Sequence, residues 1–197
     1  MIKEMEMSVK QQVKTVIQMN KLALAKLISP FAIASALVIF LFFANQEMFG
    51  RYVAVFGVYS FVPIIGTLSV IPYGLELGIP PVSLISFIIF TDAVLALFLV
   101  WNFDYAKKIP GLGKLVENVG ETGEKALAKY KWAKRFGFIG LVILVVFPLQ
   151  WTGAGVGSIV GRLIGMPPLM TWLAVIIGTF IRSTIATLIY LGVVSLF

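Results

Sequence analysis

Four ionisable side chains fall within otherwise apolar stretches of this chain: Glu76, Asp92, Arg162 and Arg182. Each of them costs at least about 2.5–3.5 kcal/mol near the centre of a helix in lipid, so an isolated one facing lipid is disfavoured. The simplest prediction pairs Asp92 with Arg182 and Glu76 with Arg162. Such pairs are either static salt bridges, or a site where a carboxylate takes up a proton or cation and an arginine holds an anionic head group. Snorkelling of Glu76 or Arg162 to the membrane surface is a further alternative.

Uncharged polar residues near these charges are candidates to line the same cavity. The chain has no histidine and no cysteine, which removes the commonest metal ligand, the usual proton shuttle and any thiolate ligand. One clear intramembrane aspartate cannot form a carboxylate dyad, so we expect no enzyme, no metal site and no cofactor. The candidate substrate- or ion-binding residues are Asp92, Arg182, Glu76, Arg162, Gln150, Thr152 and Thr91.

The composition places these charges in a membrane. Hydrophobic residues make up 59% of the 197 residues and charged residues only 13%, whereas a soluble domain is roughly half apolar. Uncharged runs at 27–46, 52–75, 136–161 and 163–181 are each near the length of about 20 residues that a helix needs to span the hydrocarbon core. We therefore predict an all-α polytopic integral membrane protein, located in the cytoplasmic membrane of the cell.

The basic residues are concentrated in two segments, 1–26 and 104–135. The net charge of +7 therefore indicates charge beside membrane spans rather than a nucleic-acid-binding surface. By the positive-inside rule both segments are cytoplasmic, which requires an even number of crossings between them. Three apolar runs separate the two segments, 27–46, 52–75 and roughly 81–103, so the middle run must enter and leave on the same side. Pro63 would break a helix there, and we predict a re-entrant hairpin from about residue 52 to 78, buried in protein.

The same reasoning divides the chain into five parts. The first has apolar residues at helical spacing and is expected to lie on an anionic membrane surface, with a solvated basic tail as the alternative. The fourth is a cytoplasmic connector whose charge spacing favours a surface helix or a solvated linker helix. The parts are 1–26 (amphipathic segment), 27–46 (first transmembrane helix), 52–103 (repeat 1), 104–135 (basic linker) and 136–197 (repeat 2).

Two stretches of the chain share one arrangement of proline and glycine. In each, small residues recur at every fourth position after a lone proline, and the series ends two residues before a Pro-Pro pair and an apolar helix. This predicts an inverted repeat of a re-entrant helix hairpin plus a transmembrane helix, as in many secondary transporters, preceded by an extra N-terminal span. Glycines at this spacing let helices pack closely. The predicted hairpin breaks are Pro63 and Pro148, and the predicted packing glycines are Gly66, Gly74, Gly78, Gly153, Gly157, Gly161 and Gly165.

The stretches PYGLELGIPP and KRFGFIGLVILVVFPLQWTGAGVGSIVGRLIGMPP resemble the small multidrug export family of bacterial and archaeal membrane proteins. The resemblance covers roughly residues 62–192 and depends most on the arginine, the proline break and TGA-x-x-G-S of the second stretch. That family is in turn similar to the DedA superfamily (SNARE-associated or VTT domain), whose members carry two oppositely entering re-entrant hairpins. The family's Glu and Arg after its first proline correspond to Gly66 and Leu68 here, which leaves the acidic role to Glu76 or Asp92. DedA proteins have an arginine where Trp151 stands.

What the resemblance implies is transport: flipping of lipids, including polyprenyl phosphate carriers, or export of drugs. Our first hypothesis is a transporter that moves an amphipathic substrate, either a lipid with an anionic head group or a hydrophobic drug. A second is a proton-coupled exporter of cationic compounds, in which Asp92 has to titrate. A third is a scaffold or assembly factor that transports nothing. The expected partners are the bilayer, the substrate and a coupling proton or cation, with a homo-oligomer left open.

Overall fold

The structure, a computed structural model, describes the backbone of residues 2–61, 66–106, 137–147 and 153–194, and the side chains of 21–61, 69–104, 137–147 and 153–192. This part of the chain is almost wholly helical, so the predicted all-α class is confirmed for it. Its seven helices are α1 (Ile2–Ala44), α2 (Gln46–Phe61), α3 (Gly66–Glu76), α4 (Pro81–Ala106), α5 (Phe138–Val146), α6 (Ala154–Leu163) and α7 (Pro168–Val194).

Three of these helices are long and apolar enough to cross a membrane: Lys21–Ala44 in α1, Pro81–Asp104 in α4 and Pro168–Gly192 in α7. Each has 24 or 25 residues and is longer than the hydrocarbon core, which is about 30 Å thick. Large apolar side chains such as those of Phe43 and Leu188 are exposed on their outer surfaces. Such a surface is stable against lipid, which supports the predicted multi-pass membrane protein.

Helix α1 contains two segments that the sequence analysis predicts as separate elements, the amphipathic segment 1–26 and the first transmembrane helix 27–46. It runs without interruption through Pro30, which removes one backbone donor but does not end the helix. The Asn102 side-chain amide donates to the backbone carbonyl of Lys26 at 3.2 Å, and the rings of Phe31 and Phe98 meet edge-on with centroids 5.4 Å apart. These contacts fix α1 against α4.

Contacts at both of their ends show that α4 and α7 run antiparallel. Near the start of α4, the Tyr190 hydroxyl at the end of α7 donates to Glu76 at 3.2 Å. Near the start of α7, Arg162 forms an ion pair of 3.0 Å with Asp104 at the end of α4. Helix α3 therefore ends at one end of the α4–α7 pair and α6 ends at the other.

Two turns of the same construction lead into α4 and α7. Gly78 and Gly165 have φ of +78° and +84°, a conformation that favours glycine. In the first turn the Ile79 amide donates to the Gly74 carbonyl at 3.1 Å, and in the second the Met166 amide donates to the Gly161 carbonyl at 3.0 Å. This six-residue closure is a Schellman motif, which satisfies carbonyls at the end of a helix.

The Pro-Pro pairs begin the next helices, as predicted. The second proline of each pair, Pro81 or Pro168, is the first helical residue, a position where its missing N–H leaves no helical hydrogen bond unmade. The first proline accepts the first amide bond of the helix: Leu84 donates to Pro80 at 2.9 Å and Thr171 donates to Pro167 at 3.0 Å.

The predicted packing role applies to some of the glycines. A Cβ atom at Gly74 would lie 2.6 Å from a methyl of Leu84, and one at Gly161 would overlap the side chain of Thr171. Close approach of α3 to α4 and of α6 to α7 therefore requires glycine at these positions. Gly78 instead closes its turn by its positive φ. Gly165 does the same, Gly157 is buried in α6, and Gly66 is the first residue of α3.

The described residues form one apolar cluster in each half of the chain and a third between the halves. Val55, Ile71 and Leu84 are among those that pack α2, α3 and α4 together. Leu141, Val160 and Ala174 are among those that do the same for α5, α6 and α7. The third cluster contains Ala96, Val145, Ala154 and Val175, and it fixes α4 against the second half.

Candidate functional site

The charged pair at the centre of the molecule is Asp92 of α4 and Arg182 of α7. Their Oδ2 and Nη2 atoms are 3.2 Å apart, and the residues are only 2% and 6% exposed. The predicted pairing is therefore confirmed. A buried charge without a partner is strongly destabilising, so each residue depends on the other.

Two hydroxyl groups complete the coordination of the Asp92 carboxylate. The Tyr59 hydroxyl donates to Oδ1 at 2.6 Å, and the Thr179 hydroxyl donates to Oδ2 at 2.6 Å. Arg182 also donates to the Tyr59 oxygen at 3.1 Å and to the Val145 carbonyl at 3.4 Å. We call Tyr59, Asp92, Thr179 and Arg182 the central cluster.

Five helices meet at the central cluster. Tyr59 comes from α2, Asp92 from α4, and both Thr179 and Arg182 from α7, while α5 supplies the Val145 carbonyl. Gly153, which precedes α6, lies so near that a Cβ atom there would be 3.4 Å from Arg182 Nη1 and 3.8 Å from Asp92 Oδ2. The start of α6 therefore lies beside the ion pair.

The negative charge of Asp92 and the positive charge of Arg182 compensate each other, and both groups form hydrogen bonds within the cluster. An anionic group can bind Arg182 only as Asp92 releases it, and a proton or cation can bind Asp92 only as its donors turn away. Both events would loosen the contact between α2, α4 and α7. The described contacts therefore define a buried ion pair whose carboxylate is held by three donors.

Comparison with known proteins identifies the family. A family model described as "Putative small multi-drug export protein" matches residues 67–185, which is more than half of the chain. The chain belongs to this family. A search of curated proteins and a search of solved structures each found no match.

The region that matches the small multidrug export family contains Asp92, Thr179 and Arg182. Tyr59 lies outside it, on α2, although its hydroxyl oxygen is bonded to both charged residues. The similarity to the DedA superfamily stays a prediction, since the match is to the small multidrug export family.

The predicted pairing of Glu76 with Arg162 is wrong for this family member. Glu76 contacts Tyr190 near the end of α7, whereas Arg162 lies just before α7 begins and pairs with Asp104. Residues at the two ends of such a helix are about 30 Å apart at 1.5 Å per residue, so these side chains cannot meet. Neither reaches the central cluster, and Arg162 is held instead by Asp104, by the Met166 carbonyl at 2.9 Å and by the ring of Phe103.

The other candidate residues of this family member lie outside the central cluster or outside the described residues. Thr91 adjoins Asp92 in sequence but donates to the Phe87 carbonyl of its own helix at 2.9 Å and lines an apolar cavity. Tyr59 was missed, because tyrosines are common in membrane helices and nothing in the sequence sets this one apart. The candidates Gln150 and Thr152 and the predicted breaks Pro63 and Pro148 lie outside the described residues.

Removal of the Thr179 hydroxyl tests the central cluster without removing a charge. We expect Thr179→Val to lower the free energy of unfolding by about 1.5–3 kcal/mol, because a buried carboxylate loses a hydrogen bond. The control is Thr187→Val in the same helix. Thr187 is also buried, but its hydroxyl donates to the Ser183 carbonyl, which keeps its helical partner. Denaturant titration in detergent micelles measures both, and equal losses would contradict the proposed importance of Thr179.

Proposed function

We propose that this family member is a membrane transporter, and not an enzyme, that moves an amphipathic substrate across the cytoplasmic membrane. The substrate is either a lipid with an anionic head group or a hydrophobic drug. One observation carries the proposal: a buried ion pair lies where helices from both halves of the chain meet. Transporters place their binding and coupling groups at such an interface, near the middle of the membrane.

The proposal includes an inverted repeat of two re-entrant hairpins. In it, α2 and α3 enter from outside, α5 and α6 enter from the cytoplasm, and α4 and α7 span the membrane. Three observations support it: the two identical turns, the antiparallel α4 and α7, and the contact between Asp92 and Thr179. Asp92 follows the turn glycine Gly78 by fourteen residues (92 − 78), and Thr179 follows the turn glycine Gly165 by the same number (179 − 165). Direct contact between equivalent residues is expected at a two-fold axis.

In this scheme the contact between Asp92 and Arg182 holds the two hairpins in place. An anionic head group that binds Arg182 breaks this contact, and one hairpin can then move relative to the other. The Tyr59 hydroxyl bonds both charged residues, so the movement of α2 is directly coupled to the state of the pair.

Proton-coupled export of cations is the second candidate. The observation that favours it is the Asp92 carboxylate, which is buried and held by three donors. In this version a proton neutralises Asp92, frees Arg182 and drives the same movement of the hairpins.

Reconstitution of the full chain into liposomes distinguishes these functions. Fluorescent lipid reports flipping, and a pH-sensitive dye inside the vesicles reports proton movement. Loss of lipid transfer in Arg182→Ala, with transfer retained in Arg162→Ala, would support the flippase. Arg182→Lys keeps the charge and is the control for misfolding. Cation-driven proton movement that is lost in Asp92→Asn would support the exporter. No movement of either kind would refute lipid flipping and proton-coupled export, and would favour the scaffold over both.

A labelling experiment tests the proposed topology. The chain has no cysteine, so single cysteines can be introduced without other changes. We expect a membrane-impermeant maleimide to label Gly50→Cys in intact cells and Gly113→Cys only in inverted vesicles. Gly50 is exposed, and a Cβ atom there meets nothing within 4 Å. Labelling of residue 113 from outside would refute the re-entrant arrangement.

A further inference from the structure

A cavity of about 540 Å³ lies between α1, α2 and α4. Cavities of roughly 300–1,000 Å³ are typical of sites for drug-sized ligands. None of the residues that line it is acidic or basic, and its polar side-chain atoms are the hydroxyls of Tyr52, Ser60 and Thr91. Much of the remaining wall is aromatic: Phe31, Phe49, Phe56, Phe87, Phe90 and Phe98.

The equivalent place in the second half of the chain is closed. There α5 packs directly on α7 at Gly178, where a Cβ atom would lie 2.6 Å from the Cβ of Val145 and 3.1 Å from the Val142 carbonyl. Glycine is therefore what allows α5 and α7 to approach so closely.

Threonine occupies the equivalent position in the first half. Thr91 follows Gly78 by thirteen residues (91 − 78), as Gly178 follows Gly165 (178 − 165). Ser60, near the end of α2, lines the cavity together with Thr91. Among the described residues no Cα of α2 lies within 8 Å of a Cα of α4. The Thr91 side chain prevents α2 from packing on α4 as closely as α5 packs on α7. The space left between α2 and α4 is the cavity, and α1 forms its third wall.

We propose that this cavity binds an uncharged aromatic compound. The inference deepens the proposed transport function, on which it rests, by naming the substrate class. A lipophilic cation would find no carboxylate in the wall, because Asp92 is bonded to Arg182 and is not among the lining residues. An anionic head group would find no basic residue there.

The composition of the wall favours aromatic rings over a lipid chain. Aromatic pairs gain about 0.5–1.5 kcal/mol beyond the burial of their area when they meet edge-on or offset. The rings of Tyr52 and Phe87 already contact each other in the wall, with centroids 4.8 Å apart and planes tilted by 43°. Ser60 and Thr91 adjoin Tyr59 and Asp92 in sequence, so a bound compound lies next to the central cluster and can bias it.

Binding of N-phenyl-1-naphthylamine, an uncharged aromatic fluorophore, tests the inference with the full chain in detergent micelles and in lipid nanodiscs. Ala34 of α1 lines the cavity, whereas Ala36 is exposed and lies two residues on, across the helix. We expect saturable binding by the unmodified chain and by Ala36→Trp, and at least tenfold weaker binding by Ala34→Trp, which fills the space. Val94→Phe fills the same cavity from α4 and should weaken binding similarly.

Each other outcome overturns the inference. Equal binding by Ala34→Trp and Ala36→Trp would place the probe elsewhere. Displacement of the probe by tetraphenylphosphonium at comparable concentration would make the ligand a cation, and loss of binding when lipid replaces detergent would make the occupant an acyl chain. Binding is measured without transport, so a failure here leaves the liposome result unchanged, and the reverse also holds.

Discussion

Replacement of Arg182 by alanine is expected to lower the free energy of unfolding by about 3–5 kcal/mol. Asp92 is 2% exposed and would keep only two hydroxyl donors, those of Tyr59 and Thr179. A buried carboxylate that loses its counter-ion is costly because the protein interior does not solvate it as water would. Unfolding of the purified chain in mixed micelles, followed by tryptophan fluorescence, measures the change.

Arg162→Ala is the matched control for this prediction. Its partner Asp104 has a side chain that is 71% exposed, so water replaces the lost arginine. We expect a smaller loss of about 1–2 kcal/mol, because the Met166 carbonyl loses a donor but no buried charge is left unpaired. A loss in Arg162→Ala as large as that in Arg182→Ala would show that the central pair has no special role in stability.

The double variant Asp92→Ala with Arg182→Ala measures how far the stabilising effects of the two residues depend on each other. Removal of both charges leaves no unpaired charge behind, so the combined loss should be clearly smaller than the sum of the two single losses. Additive losses would mean that the two residues stabilise the protein independently, which the separation of 3.2 Å between Nη2 and Oδ2 argues against.

The second large effect is expected for Gly178→Ala, which should lower the free energy of unfolding by about 1–3 kcal/mol. The added Cβ would lie 2.6 Å from the Cβ of Val145 and 3.1 Å from the backbone carbonyl of Val142. Neither atom is at the flexible end of a side chain, so relief requires that α5 move away from α7. Thermal melting in detergent, with reversibility checked, gives the direction and size of the change.

Gly192→Ala, in the same helix, is expected to raise the free energy of unfolding instead. A Cβ atom at Gly192 meets nothing within 4 Å, and alanine in a helix is more favourable than glycine by roughly 0.5–1 kcal/mol. The two variants make the same chemical change, so a difference in sign isolates the close packing of α5. A stabilised Gly178→Ala variant would contradict the closed packing of the second half, and with it the explanation of the cavity in the first.

Local sequence signals were sufficient to predict much of the fold. Apolar length located the spanning helices α1 and α7, since a helix in lipid has to satisfy its own backbone, but the runs at 52–75 and 136–161 each contain two shorter helices instead. The Pro-Pro pairs located the starts of α4 and α7, because proline at the first helical position leaves no bond unmade. The pairing of Asp92 with Arg182 followed from the cost of an isolated charge in lipid.

The remaining features depend on tertiary geometry that the sequence does not encode locally. Glu76 and Arg162 have similar positions relative to their Pro-Pro pairs, yet the antiparallel arrangement of α4 and α7 places them at opposite ends of α7. Tyr59 reaches Asp92 from another helix, which only the packing of α2 determines. Thr91 lines the cavity beside α2, and a threonine there is informative only if Gly178 holds the equivalent position of the proposed repeat.

The contact between Asp92 and Thr179 has an evolutionary consequence. In a symmetric dimer of two identical chains, a residue on the two-fold axis meets its own copy. An aspartate there would face a second buried aspartate, and the two negative charges would repel each other. Under the proposed repeat, joining the two halves in one chain lets the position carry a carboxylate on one side and a hydroxyl donor on the other. If the two halves are such a repeat, their covalent fusion permits a balanced cluster that an assembly of identical halves could not build.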